Sequence, residues 1–274
     1  VIIAKTTYKK IITEGWADFN DYINFFDITV PPKLGHLYRG QSDETWSLVP
    51  SFHRYFQQRF LSDAELLLHI EQHALREFQA QAHLHVSANV IGNTKDALGS
   101  WMLMQHHHVP TRLLDWTASM YVAAYHACRE NLDKDGAIWA LKGNFLHDQM
   151  EKIYGVDSWP PEKLSDNVLL EENSSSETFF IIPTFKTDRM VAQQGLFTVC
   201  RNISGNQHEI ISSACAEKNN YDFVKMIIPC DMKVEFLRKL RAMNITASSL
   251  FPGLDGVGQS VKELVILNAE YPNI

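Results

Sequence analysis

No stretch of the chain carries the roughly 18 consecutive apolar residues that a membrane-spanning helix needs. No P-loop, G-x-G-x-x-G, G-x-S-x-G or H-E-x-x-H pattern occurs. That argues against the common nucleotide phosphohydrolases, Rossmann dehydrogenases, α/β hydrolases and zincins. Cysteine is scarce: Cys128, Cys200, Cys215 and Cys230 are the whole set, and no two form a C-x-x-C pair. A structural zinc site is therefore not expected. Scattered thiols suit a reducing compartment, so the cytoplasm is the expected location. Positive charge is also in deficit, since 25 Lys and Arg face 32 Asp and Glu for a formal net charge of −7. General nucleic-acid binding, which needs a basic surface to neutralise phosphates, is not the expectation.

What is present reads as one α+β domain spanning residues 1–274. The length allows one large domain or two small ones, and 45% hydrophobic with 21% charged residues is ordinary for a globular protein. Residues 16–26 place apolar side chains at helical spacing. Pro31, Pro32 and Gly35 end that helix, and His36-Leu37-Tyr38 reads as a short strand delivering Arg39. Ser62-Asp63-Ala64-Glu65 is a capping box opening a long helix with Leu66, Ile70, Ala74 and Phe78 inward. A helix over 97–105 stops before Pro110. Thr117 is placed to cap a helix over 118–129, and 136–141 reads as a strand. The first half is thus helix-rich around one or two strands. Residues 157–178 form a polar loop or insertion. Beyond them, 179–185, 195–201 and 223–229 are β-rich, and Asp231 caps a helix running to Met243. The expected architecture is a helix-rich N-terminal half packed on a mostly antiparallel sheet.

Two charged islands among apolar runs carry the functional signal. One is Tyr38-Arg39-Gly40-Gln41-Ser42. The other runs from Gln105-His106-His107-His108 through Arg112, Asp115 and Trp116 to Thr117. The planar fork of Arg39 suits a phosphate or carboxylate, and Gly40 would let a ligand approach the backbone. Alternatively, Arg39 pairs with Asp115 as a structural bridge. Arg112 and Asp115, three residues apart, would either form a buried ion pair that fixes the loop or take part in catalysis. His106 is a candidate base or donor. Tyr38, Trp46 and Trp116 offer flat faces to a ring, or serve as core aromatics. Consecutive residues cannot easily share one ion, so His106, His107 and His108 do not suggest a metal site.

Tyr38-Arg39-Gly40, the stretch Trp46 to Ser51 and the stretch Gln105 to Thr117 together resemble the FRG domain, a bacterial family named for its aromatic-Arg-Gly motif. Gln193 to Thr198 and Leu250 to Gly256 agree with it, in the family's order. Where the family carries an aromatic and a glycine after Gln-His, this chain has His107 and His108. The resemblance implies a toxin or phage-defence setting, with a protein target or partner. Tyr38-Arg39-Gly40 is also similar to the strand that holds the NAD phosphates in arginine-class ADP-ribosyltransferases, which implies an ADP-ribosyltransferase-like fold with NAD as cofactor. In that comparison Gln193-Gln194-Gly195 puts Gly195 where those enzymes carry a catalytic Glu, leaving Glu263 as a weak substitute. The resemblance implies Arg39, His106, Arg112 and Asp115 as catalytic candidates. Tyr38, Arg39, Gly40, Gln41, Gln105, Trp116 and Gln194 are the candidate ligand contacts, for a nucleotide-like small molecule. The alternative is a ligand-binding or regulatory module that breaks no bond.

Overall fold

The computed structural model describes residues 8–28, 35–57, 63–86, 96–143, 178–183, 186–215 and 222–269. Its strands are β1 (Lys9–Ile12), β2 (His36–Gln41), β3 (Leu113–Thr117), β4 (Gly136–Lys142), β5 (Thr178–Ile181), β6 (Gly195–Cys200) and β7 (Phe223–Ile228). The helices are α1 (Trp16–Ile28), α2 (Ser51–Gln57), α3 (Ala64–Ala82), α4 (Ala97–His106), α5 (Met120–Cys128), α6 (Asp188–Ala192), α7 (Gln207–Cys215), α8 (Lys233–Ala242), α9 (Ala247–Leu250) and α10 (Leu254–Ala269). The strands form one sheet in the order β1-β7-β4-β2-β3-β6-β5. Only β1–β7 is parallel; every other neighbouring pair is antiparallel. The expected α+β class and mostly antiparallel sheet are both present. No described helix is long and apolar enough to cross a membrane.

Alternation along the strands sorts the core onto two faces. Tyr38, Ile138, Ala140, Val224 and Met226 pack with α1, α5 and α8. Leu113, Phe179, Ile181, Phe197 and Val199 pack with α3 and α4. Because Tyr38 pairs with Thr117, two residues from Asp115 and four from Leu113, both groups lie on the same face. One helical group covers β2-β4-β7 and the other covers β3-β6-β5. Their seam is the β2–β3 junction. On the opposite face, Leu37, Leu114, Trp116, Trp139, Leu196 and Phe223 pack with Ile211 and Cys215 of α7.

Helix α5 sits unusually close to the sheet. A Cβ added at Gly40 would lie 1.9 Å from the Ala123 carbonyl oxygen, and one at Gly136 would lie 2.4 Å from that of Ala127. The helix offers Ala123, Ala124, Ala127 and Cys128 to this contact, all fully buried. Gly40 therefore serves helix–sheet packing.

Several sequence expectations shift. The first half supplies four strands instead of one or two, because β1 and β3 are short and their neighbours hide their period. The cap of α3 is Asp63, which accepts from Leu66 N at 3.1 Å. Its fully buried positions are Leu67, Glu71 and Leu75, one residue past the expected stripe, and Leu66 is exposed. Thr117 belongs to β3, and Ser119 caps α5 through Val122 N. Asp231 lies in a 3-10 turn, Cys230–Met232, before α8 and makes no side-chain cap. Ser62, residues 184–185 and the polar stretch 157–177 lie outside the described residues, while Thr178 opens β5.

Candidate functional site

The β2–β4 ladder pairs six residues, but the β2–β3 ladder has one pair, Tyr38 with Thr117. Strand alternation places Arg39 with Leu37 and Gln41. Its guanidinium nevertheless reaches β3, where Nη1 donates to the Asp115 carbonyl at 2.7 Å. The side chain thus supplies a cross-strand bond where the backbone ladder stops. Arg39 Nη1 also lies 3.8 Å from Asp115 Oδ2, with the Arg39 side chain 16% exposed and that of Asp115 59% exposed. Arg39 Nε is buried with no hydrogen-bond partner among the described residues.

A cleft of about 400 Å³ opens at this seam. The strands contribute Tyr38, Arg39, Gly40 and the run Leu113 to Thr117. Ser51 and Arg54 come from α2; Met102, Gln105 and His106 from α4; His126 from α5, followed by Arg129; and Arg189 from α6. Gln193, Gly195 and Phe251 complete another wall. Among the described residues, Asp115 is the single carboxylate in this lining.

The cations share the cleft's field. Desolvation lowers the Arg39 pKa, with Asp115 opposing that shift and Arg54 adding to it. Desolvation also lowers Arg189, again opposed by Asp115, while Arg129 adds to the lowering. His126 is pushed down to about 3 by burial and by Arg129, Arg39 and Arg189, so it is neutral at pH 7. His106 is lowered by burial, then by His107, Arg189 and His108. Arg54 and Arg189 make no side-chain hydrogen bond or ion pair among the described residues. Arg129 is partly engaged: Nη2 donates to Gln259 Oε1 at 2.7 Å and lies 3.2 Å from Glu130 Oε1.

Of the sequence candidates, the cleft gathers Tyr38, Arg39, Gly40, Gln105, His106, Asp115 and Trp116. Tyr38 and Trp116 are 3% exposed core residues, and Trp116 Nε1 donates to Thr198 Oγ1 at 2.9 Å. Gln105 Oε1 accepts from Thr111 Oγ1. Trp46 is exposed and does not line the cleft. Gln41 is held elsewhere, accepting from Trp139 Nε1 at 2.7 Å and donating to Ser47 O at 3.1 Å. Gln194 is exposed outside the lining, at the left-handed φ of +48°. Glu263 is also outside; its carboxylate accepts from the Tyr125 hydroxyl.

Arg112 is a core residue, and its acidic partner is not Asp115. Its Nε donates to Glu71 Oε1 at 2.8 Å and Oε2 at 3.0 Å, and its Nη2 also meets Oε2. Nη1 donates to Arg201 O at 3.2 Å, and the guanidinium lies 4.9 Å from the Trp101 ring centroid. The expected Arg112–Asp115 pair fails because strand alternation turns the two side chains differently. The site residues missed in the sequence are Arg54, His126, Arg129 and Arg189, while Gln193 and Phe251 were named only within family-like stretches. The stretches Gln193 to Thr198 and Leu250 to Gly256 were the only available hint for those two.

Chemically, this is a cationic cleft with one carboxylate, in a chain of net charge −7. It suits an oxyanion, and Asp115 is placed to face positive charge on a bound molecule. No curated protein and no solved structure matches the chain. The stretches at 193–198 and 250–256 lie beyond the family match. That match covers residues 35–136, which are similar to the FRG domain and bring to the cleft its Arg39, His106 and Asp115.

Proposed function

We propose that the cleft binds an anionic, nucleotide-like ligand, with NAD as the leading candidate. The observation that carries the reading is Arg189: a half-buried guanidinium with no hydrogen-bond or ion-pair partner among the described residues, in a cleft whose lining also holds Arg39, Arg54 and Arg129. A cation held this way is stabilised by an anionic ligand. In an ADP-ribosyltransferase-like or NAD glycohydrolase reaction, the bond from nicotinamide to ribose breaks and its electron pair leaves with nicotinamide. Water or a target nucleophile then attacks the ribosyl cation. Asp115 is the cleft carboxylate available to face that cation. A toxin or phage-defence role, with a protein as target, agrees with this chemistry.

The second reading is a binding module without catalysis. It is favoured by the position of Asp115 Oδ2, 3.8 Å from Arg39 Nη1, where the carboxylate serves to orient the arginine. Calorimetric titration with NAD, ADP-ribose and ATP tests the common claim. Free nicotinamide after incubation with NAD separates the readings. Binding with release that is lost in Asp115→Asn supports the enzyme. Binding without release supports the module. Absence of binding to all three ligands overturns both.

A further inference from the structure

Phe251, a partly buried aromatic of the cleft wall, is the ring around which two of its cations gather. The Arg129 guanidinium carbon lies 4.8 Å from the Phe251 ring centroid, and that of Arg189 lies 4.9 Å from it. The His126 ring meets the same ring edge-on at 6.0 Å. Three groups from α5, its C-terminal flank and α6 therefore converge on one side chain. Cations are attracted to the face of an aromatic ring, so the ring offsets part of the repulsion between the two like charges it gathers.

The segment carrying Phe251 is fixed from several sides. Gln193 Nε2 donates to Leu250 O at 3.1 Å. Thr246 closes a capping box at the start of α9. A Cβ added at Gly256 would lie 1.8 Å from the Phe251 carbonyl oxygen, so α10 packs directly on this backbone. These contacts give the stretch Leu250 to Gly256 a physical role, and that role ends at the cleft.

We propose that Phe251, Arg129 and Arg189 form a second oxyanion subsite beside Arg39 and Asp115, which takes a phosphate group of the cleft's ligand. Phe251 is its positioning residue. It touches no ligand charge itself but aims the two guanidinium groups. This rests on the anion-binding reading of the cleft. The ligand class it implies has two anionic groups, or one extended one such as a diphosphate, so that Arg39 and the Arg129–Arg189 pair act together.

The test is calorimetric titration of the full chain with inorganic pyrophosphate and with ADP-ribose. Wild type, Phe251→Leu, Phe251→Tyr and Arg189→Ala are compared, with melting temperatures recorded for each. Phe251→Leu should bind both probes about tenfold more weakly, the scale of losing two cation–π contacts. Phe251→Tyr, which keeps the ring, should stay within about twofold of wild type. In the Arg189→Ala background, Phe251→Leu should cost clearly less than in wild type, because part of its action passes through Arg189. Equal weakening by Leu and Tyr, or an undiminished cost in the Arg189→Ala background, overturns the positioning role. Should Phe251→Leu not fold, Phe251→Tyr and Arg189→Ala decide: unchanged affinity in Arg189→Ala overturns the subsite. If wild type binds neither probe, the anion-binding reading of the whole cleft fails first.

Discussion

Arg112 and Glu71, 41 residues apart, form a buried bidentate ion pair that ties the residue leading into β3 to α3. Removing one partner of such a pair strands the other charge in the core. Glu71→Ala should cost about 3–5 kcal/mol. Glu71→Gln should cost less, because it keeps an acceptor. Asp115→Ala, at an exposed position, should cost about 1 kcal/mol or less. Urea denaturation of the three variants checks this ordering, and a larger loss from Asp115→Ala than from Glu71→Ala would reverse the assignment.

This pair also marks the limit of what the sequence told. That Arg112 needed a buried acidic partner followed from its apolar neighbours. Which acid it was did not, because Glu71 sits on a helix whose register was read one residue off. Arg39 and its proximity to Asp115 were legible, since both charges interrupt strand-like runs. Arg54, Arg129 and Arg189 were not, because each lies on a helix or at its end, where a charged residue is ordinary. Only the closure of the sheet brings them together. The class of fold followed from helices first and strands later, but four-residue β1 and five-residue β3 were too short to show a period.

Gly40 is expected to be intolerant for a steric reason unrelated to ligand. Gly40→Ala drives a Cβ into the Ala123 carbonyl at 1.9 Å and should cost about 3 kcal/mol, the upper end of ordinary overpacking. Gly195→Ala meets nothing closer than 3.5 Å and should stay within about 1 kcal/mol. Thermal melts of the two variants distinguish the cases.

His108 occupies the left-handed region at φ +63°, just past the end of α4. The FRG resemblance places a glycine there, and glycine takes this conformation without a Cβ clash. His108→Gly should therefore stabilise the chain by about 0.5–1 kcal/mol, the left-handed cost less the extra freedom of glycine when unfolded. Denaturant midpoints measure it, and a loss of stability would show that the imidazole makes a compensating contact.

Acid should weaken the fold before its carboxylates titrate. Burial, reinforced by Lys142, lowers His36 to about 4, and His126 is lowered to about 3. Both folded values lie below the usual histidine range, so from about pH 6.5 down to these values the unfolded chain binds more protons. Their contribution is complete above about pH 6.5 and is lost as pH falls, by up to about 1.4 kcal/mol per pH unit for each histidine. Urea midpoints at pH 7.5, 6, 5 and 4.5 should fall steadily. His36→Gln should flatten the trend in part, as one of several histidines whose pKa burial lowers. A flat profile in wild type would mean both rings are open to water.

Arg39 joins the fold and the proposed ligand in one side chain, and the two roles separate by substitution. Arg39→Ala removes the bond to the Asp115 carbonyl at 2.7 Å, a charge-assisted hydrogen bond, and should cost about 1.5–3 kcal/mol of stability. The folded variant should also lose binding of NAD and ADP-ribose. Arg39→Lys can restore a single bond to the carbonyl but not the planar fork, so it should recover stability more than affinity. Denaturation and calorimetry on the same samples give both values. If Arg39→Lys recovers both equally, the planar fork is not what the ligand needs; if Arg39→Ala loses stability while binding as wild type does, Arg39 serves the seam between β2 and β3 and the anion site lies with Arg129 and Arg189.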